Sequence, residues 1–204
     1  SSTCALYFTR NGFDVFPLFV DYGQITVRAE YNAAKRICRH LKINKPYKIK
    51  ISSLRRLVQT ALCGTRKFSI SNNKSGEFEF FPHRNLMLLS VGAIYAANKK
   101  ARYIGMGILS IGQPQYPDIT LEFIQAARKV LKISGNVYLL TPFARYPKTE
   151  VIRYGKMFGL DYSLTFSCNV NSKHHCGKCM SCIARNEVLK TVMSNRHKSR
   201  KKGR

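Results

Sequence analysis

The sequence has few acidic side chains and no long hydrophobic run. Among its 204 residues, 10 are Asp or Glu and 35 are Lys or Arg, so the formal net charge is +25 at pH 7. Such a charge favours anionic partners or substrates, although it says nothing about the fold. No window approaches about 18 consecutive apolar residues, and we therefore expect no membrane span.

A secretory signal is not visible either, because residues 1–10 do not combine a basic stretch with an apolar one. The seven cysteines are an odd number, and without a signal this argues against a disulfide framework. We therefore expect reduced thiols and a cytoplasmic protein. Hydrophobic residues (45%) and aromatic residues (11%) suffice for a packed core, which excludes a wholly disordered chain.

The apolar pattern alternates between strand and helix spacing along most of the chain. Residues 15–20 form a short continuous apolar run, typical of a buried parallel strand, and residues 28–41 have helical spacing. Further strands are predicted at 47–51, 102–108 and 137–140, and helices at 54–62, 84–98, 120–131, 148–158 and 182–192. A first helix should end at residues 11–12, and a mobile loop should cover 64–77. This alternation predicts an α/β fold with a doubly wound, mostly parallel sheet.

Ligands bind such sheets at the carboxyl ends of the strands, where segments 21–24, 108–118 and 141–148 are expected to meet. In the first segment, Asp21 and Gln24 could orient a polar ligand. The same residues could instead form a plain strand-to-helix turn in which Gly23 takes a positive φ.

Three further positions have both a functional and a structural interpretation. Arg84, followed by Asn85, could bind a phosphate or carboxylate at a helix start, or both could simply be solvated. Tyr116 could contact a flat ring and Asp118 its nitrogens, or Asp118 could cap a helix. Lys148 is disfavoured electrostatically in the first turn of a helix, which favours a role in binding phosphate.

Four cysteines near the C-terminus have the spacing of metal ligands: Cys168, Cys176, Cys179 and Cys182. Four thiolates can close a tetrahedral shell around zinc, and a closed shell indicates a structural site. An iron–sulfur cluster, a ligand from His174 or His175, and free thiols are the alternatives.

These patterns divide the chain into three parts. We expect residues 1–166 to form the α/β domain and residues 167–194 to form a zinc knot followed by a helix. Six of the ten residues in 195–204 are Lys or Arg, and self-repulsion should leave this basic tail disordered.

Five motifs, taken in order, make the chain resemble the QueC family of 7-cyano-7-deazaguanine synthases. They are Asp-Tyr-Gly-Gln at 21–24, Pro-x-Arg-Asn-Leu at 82–86, Tyr-Pro-Asp at 116–118, Thr-Pro with Lys-x-Glu-Val at 141–151, and Ser-Cys-x7-Cys-Gly-x-Cys-x-Ser-Cys at 167–182. The resemblance runs from Ser1 to about Arg185. It implies an adenine-nucleotide α-hydrolase-like (Rossmann-like) fold, a structural zinc site and a homodimer.

The resemblance also implies an activity. Family members adenylate 7-carboxy-7-deazaguanine with ATP and Mg²⁺, let ammonia displace AMP, and dehydrate the amide to the nitrile after a second adenylation. Transferred to this chain, Arg84, Lys148 and Asp118 act in catalysis. Nucleotide-binding residues are then Ser1, Ser2, Thr3, Cys4 and Ala5, and substrate-binding residues are Asp21, Tyr22, Gln24, Asn85 and Tyr116.

Two departures from the family pattern stand out. The family's phosphate loop, Ser-Gly-Gly-x-Asp-Ser, is matched only by its end at Ser1–Ala5, so we expect an incomplete loop, no first strand and poor catalysis by the chain as given. His83 stands where the family commonly has glycine, and the acidic pair before Tyr116 is absent.

These departures leave two alternatives to the synthase. One is a related adenylating enzyme that couples a deazapurine to another acceptor in nucleic-acid modification or antiviral defence. The other is a non-enzymatic basic zinc module that binds nucleic acid through its charged surface and tail, with salt-sensitive affinity.

Overall fold

A computed structural model describes residues 1–67, 79–111, 116–170 and 173–200. The helices are α1 (Ser2–Arg10), α2 (Val27–His40), α3 (Arg84–Asn98), α4 (Leu121–Gly135), α5 (Lys148–Met157) and α6 (Met180–Arg200). The strands are β1 (Leu18–Asp21), β2 (Tyr47–Lys50), β3 (Tyr103–Gly105) and β4 (Tyr138–Leu140).

The strands form two parallel pairs. β1 pairs with β2, with Leu18 opposite Tyr47, and β3 pairs with β4, with Tyr103 opposite Tyr138. Within the described ranges, no ladder joins one pair to the other. Parallel neighbours require a crossover connection, and helices supply it here, which confirms the predicted α/β class.

The residue types in α2 and α4 explain which face of the helix is buried and where the helix begins and ends. α2 buries Ala33, Ile37 and Cys38, of which the last two belong to the apolar face that the spacing predicts, while its basic residues are more exposed. The Thr120 side chain accepts a hydrogen bond from the Phe123 amide at 3.1 Å and so caps α4. Asn136, in a left-handed conformation, ends α4.

Helices cover the β3–β4 pair from more than one side. Leu89 of α3, Leu131 of α4 and Leu139 of β4 belong to one buried cluster. Phe8 of α1 contacts the pair elsewhere, at Gly105, where an added Cβ would lie 2.3 Å from the Phe8 ring. Glycine is therefore required at this position for α1 to pack on β3.

Three expectations differ from the structure or fall outside it. Residues 52–57 and 61–63 form 3₁₀ turns instead of one helix over 54–62, because Val58 and Thr60 are extended. α6 continues to Arg200, past the predicted start of the disordered tail, and residues 201–204 lie outside the described ranges. Most of the loop predicted at 64–77 also lies outside them. No helix among the described residues is long and apolar enough to cross a bilayer.

Candidate active site and metal centre

The loop after β1 is held by its own polar side chains. Asp21 forms an ion pair with Lys48 at 3.0 Å and accepts the Gly23 amide at 3.2 Å. The Gln24 side chain accepts the Tyr22 amide at 3.0 Å and donates to the Val20 carbonyl at 3.2 Å. These contacts give Asp21 and Gln24 a structural role, and their predicted contact with substrate stays a prediction.

Gly23 has the positive φ expected of this turn, at +94°. A Cβ at this position would lie 2.8 Å from both the Ser52 carbonyl oxygen and the Arg55 Cβ. Only glycine fits both the conformation and the space. The turn in consequence fixes the direction of Tyr22, whose ring points into the core.

Tyr22 directly follows β1, and it contacts Arg84, the first residue of α3. The Tyr22 ring packs edge-on against Phe81, with ring centroids 5.3 Å apart. Burial raises the pKa of Tyr22 to about 12, while the Arg84 guanidinium, which hydrogen-bonds the hydroxyl, offsets part of that rise. Tyr22 is therefore protonated near neutral pH, and it helps to orient Arg84.

Asn85 and Asp118 join the start of α3 to the turn at Pro117–Ile119. The Asp118 carboxylate accepts the Asn85 backbone amide at 2.9 Å, and the Asn85 side chain donates to the Asp118 carbonyl at 2.9 Å. Both residues are buried. Asp118 thus caps α3 instead of the helix that follows it, and the pair places Arg84 beside Tyr116.

Tyr116 lies next to a carboxylate that sequence analysis did not single out. Its ring stacks on Phe80, with centroids 5.4 Å apart and planes 13° apart. Burial raises the pKa of Tyr116, Glu79 raises it further, and Arg84 acts in the opposite direction. Glu79 is itself buried and accepts the Asn169 side-chain amide at 2.9 Å. The structure thus groups Tyr22, Arg84, Asn85, Tyr116 and Asp118 with Glu79.

A second group surrounds Lys148, the first residue of α5. Burial lowers the pKa of Lys148, and the nearby positive charge of Arg185 lowers it further. Two adjacent cations at a helix N-terminus form an environment that favours an anion.

The other predicted nucleotide-binding residues belong to the first turn of α1. Ser2 begins the helix, and the Ala5 amide donates to the Ser1 carbonyl at 2.9 Å. The Thr3 hydroxyl is hydrogen-bonded to the Tyr162 hydroxyl at 2.8 Å. Ser1 lies near Lys148, whereas the described contact of Thr3 is with Tyr162.

The four predicted metal ligands come together. Their sulfur atoms all lie within 4.8 Å of one another, and those of Cys176 and Cys182 are 4.0 Å apart. A tetrahedral zinc site with bonds of about 2.3 Å needs sulfur separations of about 3.8 Å, so the four thiols fit the ion. His175 accepts the Ser167 amide at 3.2 Å, outside this cluster.

The thiols of the cluster differ in acidity. Burial alone would raise the pKa of Cys176, but hydrogen bonds from the Lys178 and Cys179 backbone amides, together with those involving the Cys168 and Cys179 thiols, outweigh it and lower the pKa to about 7. Burial, together with the neighbouring Cys179 and Cys168, raises the pKa of Cys182. A bound cation favours the thiolate form of every ligand, which links metal binding to folding of the knot.

Comparison with known proteins identifies the family. The family model described as "Queuosine biosynthesis protein QueC" matches residues 1–193. The chain belongs to the QueC family. Similar proteins include the 7-cyano-7-deazaguanine synthase 1 of Sulfurisphaera tokodaii, 33% identical over 94% of this chain and 88% of the relative. The corresponding synthases of Methanospirillum hungatei and Caldicellulosiruptor bescii are 30% and 33% identical, each over 94% of this chain, and over 90% and 88% of their own lengths.

Sequence analysis did not single out two residues that the structure places among the candidate site residues, Arg185 and Glu79. Arg185 lies three residues after the predicted metal ligand Cys182, and it donates hydrogen bonds to the Thr165 hydroxyl and the Tyr162 carbonyl, each at 2.6 Å. Its position one helical turn after the cysteine motif could have drawn attention to Arg185. Glu79 follows a weakly patterned polar segment, and only its aromatic neighbours in an acid-poor chain could have drawn attention to it.

Proposed function

We propose that this chain performs the reaction named for its QueC relatives, the ATP-dependent synthesis of 7-cyano-7-deazaguanine from 7-carboxy-7-deazaguanine and ammonia. The family match over residues 1–193 carries this conclusion. The relatives cover nearly the whole chain, and their names agree on one product. They offer no support for a different acceptor in nucleic-acid modification or antiviral defence.

The chemistry requires ATP because ammonia does not displace an oxygen from a carboxylate. Transfer of AMP to the carboxylate oxygen, with loss of pyrophosphate, creates a leaving group. Ammonia then forms the amide as AMP departs, and a second adenylation, now of the amide oxygen, allows loss of AMP and formation of the nitrile. The protein must hold two anionic reactants together, which Coulomb repulsion opposes.

The two groups of site residues suit the two reactants. In this proposal Lys148, Arg185 and the backbone amides at the start of α5 bind phosphate groups, which the positive charges and the helix N-terminus favour. Tyr116, stacked on Phe80, offers a flat aromatic surface for the deazapurine, with Arg84 nearby to neutralise its carboxylate. Asp118 and Asn85 act through position, since they hold Arg84 and Tyr116 together.

Two metal ions complete the proposal. Zn²⁺ would be held by Cys168, Cys176, Cys179 and Cys182 and would supply structural cross-linking. Mg²⁺ is expected to arrive with ATP, bound mainly by phosphate oxygens and water. Thiolate ligands must stay reduced, which is why we place the enzyme in the cytoplasm.

The direct test is incubation with 7-carboxy-7-deazaguanine, Mg²⁺–ATP and ammonium, followed by mass spectrometry. We expect AMP and 7-cyano-7-deazaguanine, both dependent on the deazapurine. The Lys148→Ala protein, checked for unchanged melting, serves as the control for contaminating ATPases. If AMP forms at the same rate without the deazapurine, or with the control protein, the assignment is wrong.

We also propose a homodimer, which the family resemblance implies. Ile94 on α3 and Ile133 on α4 are 72% and 87% exposed, and α3 and α4 pack against each other. Exposed apolar side chains on adjacent helices favour association. Analytical ultracentrifugation should give a mass of about twice 23.3 kDa, whereas a single species at 23.3 kDa would contradict a dimer.

Nucleic-acid binding is kept as an accessory proposal because of one basic cleft. The cleft, of about 410 Å³, lies between α2 and the metal knot and is lined by Arg28, Arg36, Lys173 and His174 among others. Contacts with phosphates would release counterions, so affinity should fall steeply with salt. Gel shifts with single-stranded and duplex oligonucleotides at rising salt test it, and no shift at low salt rejects it.

A further inference from the structure

We propose that a pocket between α4 and the loop after β4 is an anion site that binds the phosphate group of a small molecule. The pocket has a volume of about 220 Å³ and lies between the first half of α4 and residues 141–146. The described residues that line it include none of those grouped around Tyr116 or around Lys148. No step of the proposed reaction uses this pocket, so the site goes beyond the proposed function.

Arg128 of α4 is oriented by two hydrogen bonds to the end of β4. Its Nε donates to the Leu139 carbonyl at 3.2 Å, and its Nη2 donates to the Thr141 hydroxyl at 3.1 Å. Both bonds come from the edge of the guanidinium that Nε and Nη2 form. Nη1 has no acceptor among the described residues, so the edge formed by Nη1 and Nη2 can donate two parallel hydrogen bonds to an oxyanion.

Thr141, the first residue after β4, supplies a hydroxyl to the wall of the pocket. The residue is only 8% exposed, and its hydroxyl accepts the hydrogen bond from Arg128. Within the described ranges this hydroxyl donates to no acceptor, although buried donors normally have one. A phosphate oxygen in the pocket would accept this proton beside the N–H groups of Arg128.

The loop that carries Thr141 is fixed by contacts that need no ligand. The Ala144 amide donates to the Thr141 carbonyl at 3.2 Å, and the Ser110 amide donates to the Ala144 carbonyl at 3.0 Å. Ala144 is also buried in one cluster with Ile108 and Ile124. Because the loop is already ordered, a ligand loses little affinity to the ordering of the pocket.

The charge and the size of the pocket favour a phosphate. Arg128 and Arg145 both line it, and no acidic residue is among the described residues that do so. Arginine stays charged in proteins, so the site has two permanent positive charges. A phosphate group has about 1.5 to 2 negative charges and three acceptor oxygens at neutral pH, whereas a carboxylate has one charge. Clefts for drug-sized ligands measure about 300–1,000 Å³, so this smaller pocket suits the phosphate group itself.

Titration calorimetry of the Lys148→Ala protein tests the site, because this substitution weakens phosphate binding at the start of α5. The probes are inorganic phosphate, pyrophosphate and AMP, with acetate for comparison, all in about 0.15 M salt to screen long-range attraction. We expect saturable binding of the phosphate compounds and none of acetate at the same concentrations. Tighter binding of pyrophosphate indicates a free anion as the ligand and tighter binding of AMP a nucleotide, and both results support the site. No binding of any phosphate compound, or equal binding of acetate, would overturn it.

Matched substitutions in the same protein locate the bound phosphate. Arg128→Gln should weaken binding about tenfold to hundredfold, the range for hydrogen bonds to a charged group. Arg145→Gln should weaken it about twofold to fivefold, because Arg145 is exposed. Lys129→Gln removes a neighbouring exposed charge of α4 that does not line the pocket, and it should leave the affinity unchanged.

Melting temperatures show whether each variant folds, since Arg128 also holds the Leu139 carbonyl. If Arg128→Gln unfolds the protein, Arg145→Gln still decides, because the Arg145 side chain has no hydrogen-bond partner in the described part of the chain. Equal affinities of the Arg145→Gln and Lys129→Gln proteins would overturn the assignment. That result would mean that the net charge of +25, and not this pocket, attracts the anion.

Discussion

Lys148 combines a positive charge with partial burial, and this makes its role sensitive to pH. Burial and Arg185 both lower its pKa from the ordinary value of 10.5. The free protein therefore loses this charge at a lower pH than an exposed lysine would. ATP affinity should fall as the pH rises from about 7 to about 10, because the neutral amine no longer attracts phosphate.

Titration calorimetry of ATP binding at several pH values measures this effect. Lys148→Arg should keep its affinity over the same range, since the guanidinium remains charged. Lys148→Ala should bind ATP about tenfold to hundredfold more weakly at pH 7, with a flatter profile. Parallel pH profiles for the wild-type and Lys148→Arg proteins would mean that Lys148 does not carry the effect.

His83 stands in a backbone conformation that suits glycine. Its φ is +55°, its side chain is exposed, and it precedes α3. The left-handed conformation costs an L-residue about 1–2 kcal/mol, and glycine avoids this cost. Glycine also loses more conformational entropy on folding, which offsets part of the stabilisation. His83→Gly should therefore raise the free energy of unfolding by about 0.5–1 kcal/mol.

Thermal melting and urea unfolding can resolve a change of this size, which corresponds to a few degrees in a chain of this length. His83→Ala is the matched control, because it removes the imidazole but keeps the unfavourable φ. Melting of the glycine variant at or below the temperature of the alanine variant would show that backbone strain at residue 83 is negligible. The family's usual glycine at this position thus has a backbone explanation.

At the scale of elements, the turn after β1 is the most restrictive segment. Gly23→Ala would meet both a φ of +94° and contacts of 2.8 Å with Ser52 and Arg55. We expect a loss of about 2–4 kcal/mol in the free energy of unfolding, because backbone strain and overpacking act together.

Gly12→Ala provides the control for this turn. Gly12 also has a positive φ, +77°, but a Cβ there meets nothing within 4 Å among the described residues. It should lose only the cost of the conformation, about 1 kcal/mol. Chemical unfolding of both variants separates the two contributions, and equal losses would contradict the close approach of Ser52 to the turn.

Sequence patterns predicted helices well where one face of the helix is buried. The bounds of α3 agree at both ends, and α2 differs by one residue at each end, because long amphipathic segments have a strong period. The segment 52–63 was predicted less well, since its apolar residues have helical spacing while Thr60 is extended and caps a 3₁₀ turn through the Leu62 amide. Tertiary context decides such short segments.

The candidate site was predictable only in part, for a related reason. Motifs placed Arg84, Tyr116 and Lys148 at strand or helix ends, where the structure has them. Glu79 meets Asn169 across 90 positions of sequence. No local pattern records such a contact, so side chains brought in by the knot were invisible until the chain was folded.

For the whole molecule, the knot at residues 167–182 is the part that connects the group around Tyr116 with the group around Lys148. Asn169 extends from it to Glu79, and Arg185, just beyond it, lies near Lys148 and donates to Thr165 and Tyr162. A net charge of +25 opposes compaction of the chain, and a cross-link in the C-terminal region counteracts that repulsion. Zinc should therefore influence ligand binding although its ligands do not belong to the site.

Removal of the metal tests this long-range role. Treatment with a strong chelator, or the substitution Cys176→Ser, should lower the melting temperature by about 10 °C or more, since binding free energy of such sites is folding free energy. ATP and deazapurine affinity should fall together, because Arg185 lies on the helix that begins within the knot and Asn169 of the knot holds Glu79 beside Tyr116. Atomic emission gives the zinc content, circular dichroism gives the melting temperature, and calorimetry gives the affinities for both ligands.

Cys38→Ser, which changes a buried thiol of α2 outside the knot, should keep one zinc per chain and both affinities. A Cys176→Ser protein that loses its zinc yet binds both ligands as tightly as the Cys38→Ser protein would show that the knot stabilises its own segment alone.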